Sequence, residues 1–330
     1  MPPPLLLAVP NVSEGRDRAT IEDIAAAFAG SHDADPAAGG HAPPAPTGDV
    51  RLLDVHTDGD HHRTVFTIAG HPGGLADALL RGARVAAERI DVVARARGRP
   101  QDAGQHPHVG ALDVAPIVYL DPGDRGAACA EALVVGDRIG EELQVPVFLY
   151  GELSGADAAT ARTRAQLRRG GIPGLAARMA AGVSGGAGVE AEPIAPDFGP
   201  PYMHPSAGAT LLAARPPLVA FNLRLAPPAT VADARAIAAR IREGAPGGLP
   251  GVRAIGVALG GGVAQVSMNV ERPSELPLAR VVEAVRGHAP VAGAELVGLA
   301  PAVALVDFPE DVPIPGFDPA RHVIENALGC

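Results

Sequence analysis

Set out as strands and helices, the chain runs twice through one order of elements, and that repeat limits the folds open to it. The first pass is "PLLLAVPNV" as a strand, "DRATIEDIAAAFAG" as a helix, then "VRLLDVHT" and "RTVFTIAG" as two strands about the polar loop "DGDHH". The spacing of Ile21, Ile24, Ala25 and Phe28 puts them on one helical face, and Gly30 is a stop signal. A helix over "GGLADALLRGARVAAERIDVVARARG" and a strand over "GALDVAPIVYLD" complete a β-α-β-β-α-β unit, the split βαβ motif. A helix "RGAACAEALVVGDRIGEEL", a strand "VPVFLYG" and an Arg/Ala-rich helical stretch extend it. The chain changes character around residues 181–201, and beyond that the order returns as "PLVAFNLRL", "TVADARAIAARIREG", "VRAIGVAL", "VAQVSMNV", "ELPLARVVEAVRGH" and "AELVGLAP". The expectation is an α+β protein: an N-terminal part over 1–180, a Gly/Pro-rich linker over 181–200 and a second part over 201–330. Two such sheet-and-helix lobes leave a cleft between them, where ligands favour binding.

Composition narrows the function. A net charge of −10 argues against nucleic acid, which needs a basic face. All 27 cationic side chains are Arg; without Lys there is neither an internal Schiff-base lysine nor a Walker A loop. Cys129 and Cys330 cannot build a disulfide framework or a thiolate zinc site, so a reducing cytoplasm is expected. No stretch approaches the roughly 18 apolar residues of a membrane span, and the N-terminal apolar run is too short for a signal peptide. The segment 31–49, rich in Ala, Gly and Pro, reads as loop material.

Polar loops fall at strand ends: 10–15 "PNVSEG", 57–63 "TDGDHHR" and 104–113 "GQHPHVGALD". His106 is the candidate proton shuttle, since imidazole titrates near neutrality; the plainer reading is a loop histidine capping backbone. His108, two residues on, faces the same side of an extended chain. With Asp58, Asp60, His61 and His62 it permits a metal pair, although no longer ligand motif supports one. Arg63 suits a substrate carboxylate or a surface pair with Asp58 or Asp60. Asn11, Ser13 and Glu14 either reach a ligand or cap the next helix. Asn222, polar within an apolar strand, needs partners and either bonds backbone or reaches a ligand. "LGGGVA" reads as a hairpin, and Tyr202, His204 and Ser206 lie in a loop that lines a cleft or merely connects domains.

Taken together, the motifs resemble the glutamate formiminotransferases. The resemblance rests on "VPNVSEG" at 9–15, "LLDV" at 52–55 and "RTVFT" at 63–67. It continues with "HPHVGALDVAP" at 106–116, "VPVFLYGE" at 145–152 and "PDFGP" at 196–200. "AFNLRL" at 220–225, "AQVS" at 264–267 and "ELVGL" at 295–299 complete it, in family order over nearly the whole chain. It implies two ferredoxin-like halves, a homodimer, and formimino transfer from N-formimino-L-glutamate to tetrahydrofolate without a metal. It makes His106 the catalytic acid/base. It puts folate on Gly199, Pro200, Pro201, Tyr202, Met203, His204, Pro205, Ser206, Ala207 and Gly208. Asn11, Arg63, Asn222 and Arg224 are the further substrate or folate candidates. His62 stands where the family pattern "HNR" leads one to expect Asn. The chain ends at Cys330, with no room for the cyclodeaminase domain of animal relatives. The alternatives are a metal-dependent amidine or imide hydrolase using His106, His108, His61 and Asp58, an enzyme acting on 5-formyltetrahydrofolate, and a folate carrier without turnover.

Overall fold

The computed structural model describes residues 3–30, 50–98, 107–155, 157, 160–183 and 192–329. The chain packs as two compact units, Met1–Pro216 and Pro217–Cys330.

The first unit begins with one interrupted strand, β1 (Leu6–Ala8) and β2 (Asn11–Val12). Pro10 lies in the break between them and has no N–H for the ladder. Helix α1 (Arg18–Ala29) follows, with Asp17 accepting from the Ala19 and Thr20 backbone N–H groups at its start. Strands β3 (Arg51–Asp58) and β4 (Arg63–Gly70), helices α2 (Gly74–Arg89) and α3 (Val92–Arg97) and strand β5 (Leu112–Tyr119) come next. Helix α4 (Arg125–Glu142), strand β6 (Val147–Leu149), helices α5 (Arg164–Leu167) and α6 (Gly171–Val183) and strand β7 (Thr210–Arg215) complete the unit. The interrupted first strand lies between β4 and β5, antiparallel to both, and β3 pairs β4 on its outer side. Strands β7 and then β6 extend the sheet beyond β5 in parallel.

One face buries Ile24 and Phe28 of α1, Leu75 and Leu79 of α2, and Val135 and Ile139 of α4 against Phe66, Ile68 and Ile117 of the sheet. Over β5, β6 and β7 the reverse face is closed as well: Leu167, Leu175 and Met179 cover Val114, Phe148 and Leu211. Burial on both faces explains why β5 reads as an unbroken apolar run.

The second unit has strand β8 (Val219–Leu225), helix α7 (Val231–Ile241), strands β9 (Val252–Ala258) and β10 (Ala264–Val270), helix α8 (Leu278–Arg286) and strand β11 (Val291–Val297). Short helices α9 (Pro319–His322) and α10 (Ile324–Leu328) end the described chain. Its sheet runs β11-β8-β10-β9, all antiparallel. Numbered within its own unit, each four-strand core therefore has the order second, third, first, fourth. That is the split βαβ arrangement expected from the repeat. Thr230 and Asp233 form a capping box on α7, and "LGGGVA" makes the β9–β10 turn.

The division falls later than the sequence suggests. Asp197 and Phe198, expected in a linker, bond to Val147 of β6 through their backbone N–H groups. Residues 201–216, expected with the second half, supply β7 to the first sheet. Pro216 and Pro217 separate "ATLLAAR" from "LVAFNLRL", but nothing local in the first run says which sheet it joins, so its place is legible only through its partners.

Candidate functional site

The loops after β2, between β3 and β4, and before β5 and β7 meet at one end of the first sheet, because β2 is antiparallel to both β4 and β5. Ser13 ties two of them: its N–H donates to the Ala111 carbonyl at 2.9 Å and its Oγ to the Gly110 carbonyl at 2.7 Å. The sequence alternative of a Ser13 helix cap does not hold, since Asp17 caps α1.

Glu14 is the electrostatic centre of this end. Only 5% exposed, its Oε1 accepts from the Gly15, Arg16 and Asp17 N–H groups at 3.0, 2.8 and 3.0 Å, just before α1. Arg95 of α3 donates to Glu14 Oε2 at 2.8 Å and to the Ser13 carbonyl at 2.5 Å. Burial pushes the Glu14 carboxyl up, but the Asp17 and Arg16 N–H groups, His62 and Arg95 outweigh it and hold it below the usual carboxylate range.

His62 joins the cluster from the β3–β4 turn. Its Nδ1 accepts from the Gly15 N–H at 3.1 Å, so the neutral ring carries its proton on Nε2. Burial first, then the Arg95 charge, brings its pKa down to about 4 against the pull of Glu14. The His108 charge acts in the same sense as Arg95, so the 107–111 loop reaches this cluster electrostatically. His62 has φ 52°, a left-handed conformation in which Asn and His are tolerated better than bulkier residues. Asp58 and His61 engage each other, Oδ2 to Nδ1 at 2.5 Å. Burial raises the Asp58 pKa, but the His61 ring and N–H and the Arg63 charge win and bring it to about 2. Arg63 is half-buried at the start of β4, opposite Asp58 in the ladder. Among the described residues no three His, Cys, Asp or Glu side chains gather to hold a metal ion.

The segment read as folate-binding lies against the loop that follows position 106. Ala111 N–H donates to the Ala207 carbonyl at 2.8 Å and Ala209 N–H to the Val109 carbonyl at 2.9 Å, with Gly110 and Gly208 bridged between them. This contact needs glycine on both sides. A Cβ on Gly110 would lie 1.9 Å from the Ala209 carbonyl oxygen, and one on Gly208, at φ +74°, would lie 2.2 Å from that of Val109. Asp113 braces the loop from below, accepting from the Val109 N–H at 2.7 Å and from Arg168. Val93 of α3 donates its N–H to the Ser206 carbonyl at 3.3 Å.

Within the segment, His204 Nδ1 accepts from the Ala207 N–H at 2.9 Å and the Ser206 N–H at 3.3 Å. Its proton therefore sits on Nε2, and burial lowers its pKa, which keeps the ring a neutral donor. Tyr202 is 60% exposed. Met203 packs inward on the first core. Gly199 turns at φ +79°, ahead of Pro200 and Pro201, and Pro205 and Ser206 form the tip of the 204–208 turn.

His106 lies outside the described residues; the chain resumes at Pro107. Asn11 stands apart from the Glu14 cluster, in a row with Val65 and Val114, its amide donating to the Val9 carbonyl at 3.0 Å. Asn222 and Arg224 belong to the second unit. Asn222 is buried, and its Nδ2 donates to Glu295 Oε2 at 2.8 Å across the β8–β11 pair. Sequence reasoning passed over Arg95, Asp113 and Arg168. Arg95 sits in "ARARG" with nothing to distinguish it from Arg97, and only its position opposite Glu14 marks it.

Two family descriptions match in succession: "Formiminotransferase domain, N-terminal subdomain" over residues 5–215 and "Formiminotransferase domain" over 220–310. The chain is 34% identical to a glutamate formimidoyltransferase of Streptococcus pyogenes serotype M1, over 97% of each chain. It is 32% identical to a protein of the same name from Thermoplasma acidophilum, over 92% of this chain and 90% of the relative. Against a formimidoyltransferase-cyclodeaminase of Gallus gallus it is 36% identical over 93% of its own length and 52% of the relative's.

Proposed function

This chain belongs to the formiminotransferase family, and on that premise we propose that it transfers the formimino group of N-formimino-L-glutamate to N5 of tetrahydrofolate, releasing L-glutamate. It is a one-carbon transferase of histidine breakdown. The bond from N5 to the amidine carbon forms, and the bond from that carbon to the glutamate nitrogen breaks. One proton passes from N5 to the departing nitrogen.

His106 carries that proton. A positioned acid/base contributes about 10²–10⁴ in rate, while holding two substrates together contributes effective molarities of about 10⁵ M or more. The site therefore has to order both partners as well as move a proton. What supports the reading is the backbone ladder between 109–111 and 207–209. It brings the chain just after His106 beside the segment assigned to folate. The chemistry of that segment fits a flat ring with polar edges: Tyr202 offers an exposed aromatic face, and His204 a neutral Nε2–H donor. Ser13 holds the 110–111 backbone and is itself held by Arg95, which pairs with Glu14; Arg63, Asn11, Asn222 and Arg224 are the polar groups assigned to the two substrates. A homodimeric state and a cytoplasmic location complete the proposal, the first from the family resemblance and the second from the scarcity of cysteine. Among the described residues no helix is long and apolar enough to cross a membrane.

The test is glutamate release from formiminoglutamate with and without tetrahydrofolate, and with and without chelator. Release that requires folate and ignores chelator is expected. His106→Ala should lower turnover by about 10²-fold or more while folate still binds. Release without folate, or turnover surviving His106→Ala within a few-fold, overturns the reading.

A further inference from the structure

The second sheet has one face on its helices and one face away from them. Phe221, Leu223, Val266, Met268, Ala294 and Leu296 point to the helical side, within the unit's apolar core. Side chains alternate along a strand, so Asn222, Arg224, Gln265, Ser267 and Glu295 share the other face. Gln265 stands out there. It is 1% exposed, and its Nε2 has no hydrogen-bond partner among the described residues. Native proteins seldom leave a buried donor unmatched, and one so placed calls for a reason.

Its neighbours suggest that reason. Gln265 is paired in register with Arg224 on the adjacent strand, so the two side chains stand side by side on this face. Arg224 makes no ion pair among the described residues, and its guanidinium lies over Gly293 of β11, where a Cβ would be 3.4 Å from Nη2. A buried amide donor beside an available guanidinium is the donor set of a carboxylate site. Glu295, held by the Asn222 amide at 2.8 Å, puts a negative charge on the same face. That charge opposes an extra dianion but complements an amidinium lying next to a carboxylate, the charge pattern of formiminoglutamate. A free folate tail offers only the negative part.

We propose that Gln265, together with Arg224, binds a carboxylate of the amidine substrate on this face of the second sheet. The proposal rests on the formimino-transfer reading. Wild-type protein is therefore assayed first: no folate-dependent release refutes that reading, whereas normal release with unaltered variants refutes only this one. The variants are Gln265→Met, which keeps length but removes the donor, and Gln265→Glu, which opposes a carboxylate.

Loss of a hydrogen bond to a charged group corresponds to about a tenfold or larger loss of affinity. KM for formiminoglutamate should rise about tenfold in Gln265→Met and further in Gln265→Glu, with a smaller change in kcat and unchanged tetrahydrofolate affinity. Removing an unmatched donor should leave the Tm of Gln265→Met unchanged or higher by about 3 °C. A purely structural amide would show the reverse, a lower Tm and an unmoved KM, and that result overturns the proposal. A rise confined to the KM for tetrahydrofolate overturns it too, since the carboxylate would then be the folate's.

Discussion

Glu14→Gln isolates the charge at the centre of the loop cluster. The substitution leaves an oxygen where three backbone N–H groups of residues 15–17 converge, but turns an amide N–H₂ toward Arg95, donor against donor. The Arg95 side chain is 19% exposed and retains only the Ser13 carbonyl from this contact set. Breaking a buried ion pair from one side costs about 3–5 kcal/mol. Partial exposure and the surviving carbonyl bond put Arg95 at the lower end, about 3 kcal/mol, since water and backbone recover part of the loss. For a unit of this size that corresponds to a fall in Tm of about 6–12 °C. Glu14→Ala should cost about 1 kcal/mol more. It strips the Arg16 and Asp17 N–H groups as well, though water reaches these, and Gly15 keeps His62 Nδ1. The assay is urea and thermal denaturation at pH 7 on Glu14→Gln, Arg95→Gln and the double variant, in which two amides face each other and should regain at least half the loss. A cost below about 1 kcal/mol for Glu14→Gln, or losses that simply add in the double variant, would refute the account.

Two further outcomes follow from the same end of the sheet. Gly110→Ala pushes a methyl group against a backbone carbonyl that cannot rotate away. It should destabilise by about 2–3 kcal/mol and abolish turnover, whereas Gly126→Ala, in open space on α4 and without a positive φ, should leave turnover and stability intact; parallel melting curves and rate assays separate them. His62 titrates at about 4 when folded and near 6.5 when unfolded. Between those values the unfolded chain binds more protons, so stability declines as pH falls from about 6.5 to about 4. His62→Asn should flatten that limb of the stability curve, and an unchanged slope would show that His62 is not buried neutral.

The twofold β-α-β-β-α-β order could be read from periodicity because each helix and strand has one apolar face whose spacing is set by its own geometry. Val219, Phe221, Leu223 and Leu225 all point to the core as the alternation requires. The residues at loop ends were legible for a related reason: polar clusters that interrupt apolar runs stand out, as "VSEG" and "DGDHH" do. What lay beyond reach were relations between segments far apart in the chain. Strand β7 belongs to the first sheet only because β5 and β6 flank it in parallel, and "TLLAAR" is equally apolar in either unit. Arg95 and Glu14 are 81 residues apart, and nothing local in either says that they pair. Gln265 reads as an ordinary strand glutamine until its depth and the lack of a partner for its Nε2 among the described residues are seen together. Residue type and spacing decided which groups could do chemistry; only packing decided which were taken out of water, and desolvation is what gives a buried carboxylate, imidazole or amide its strength.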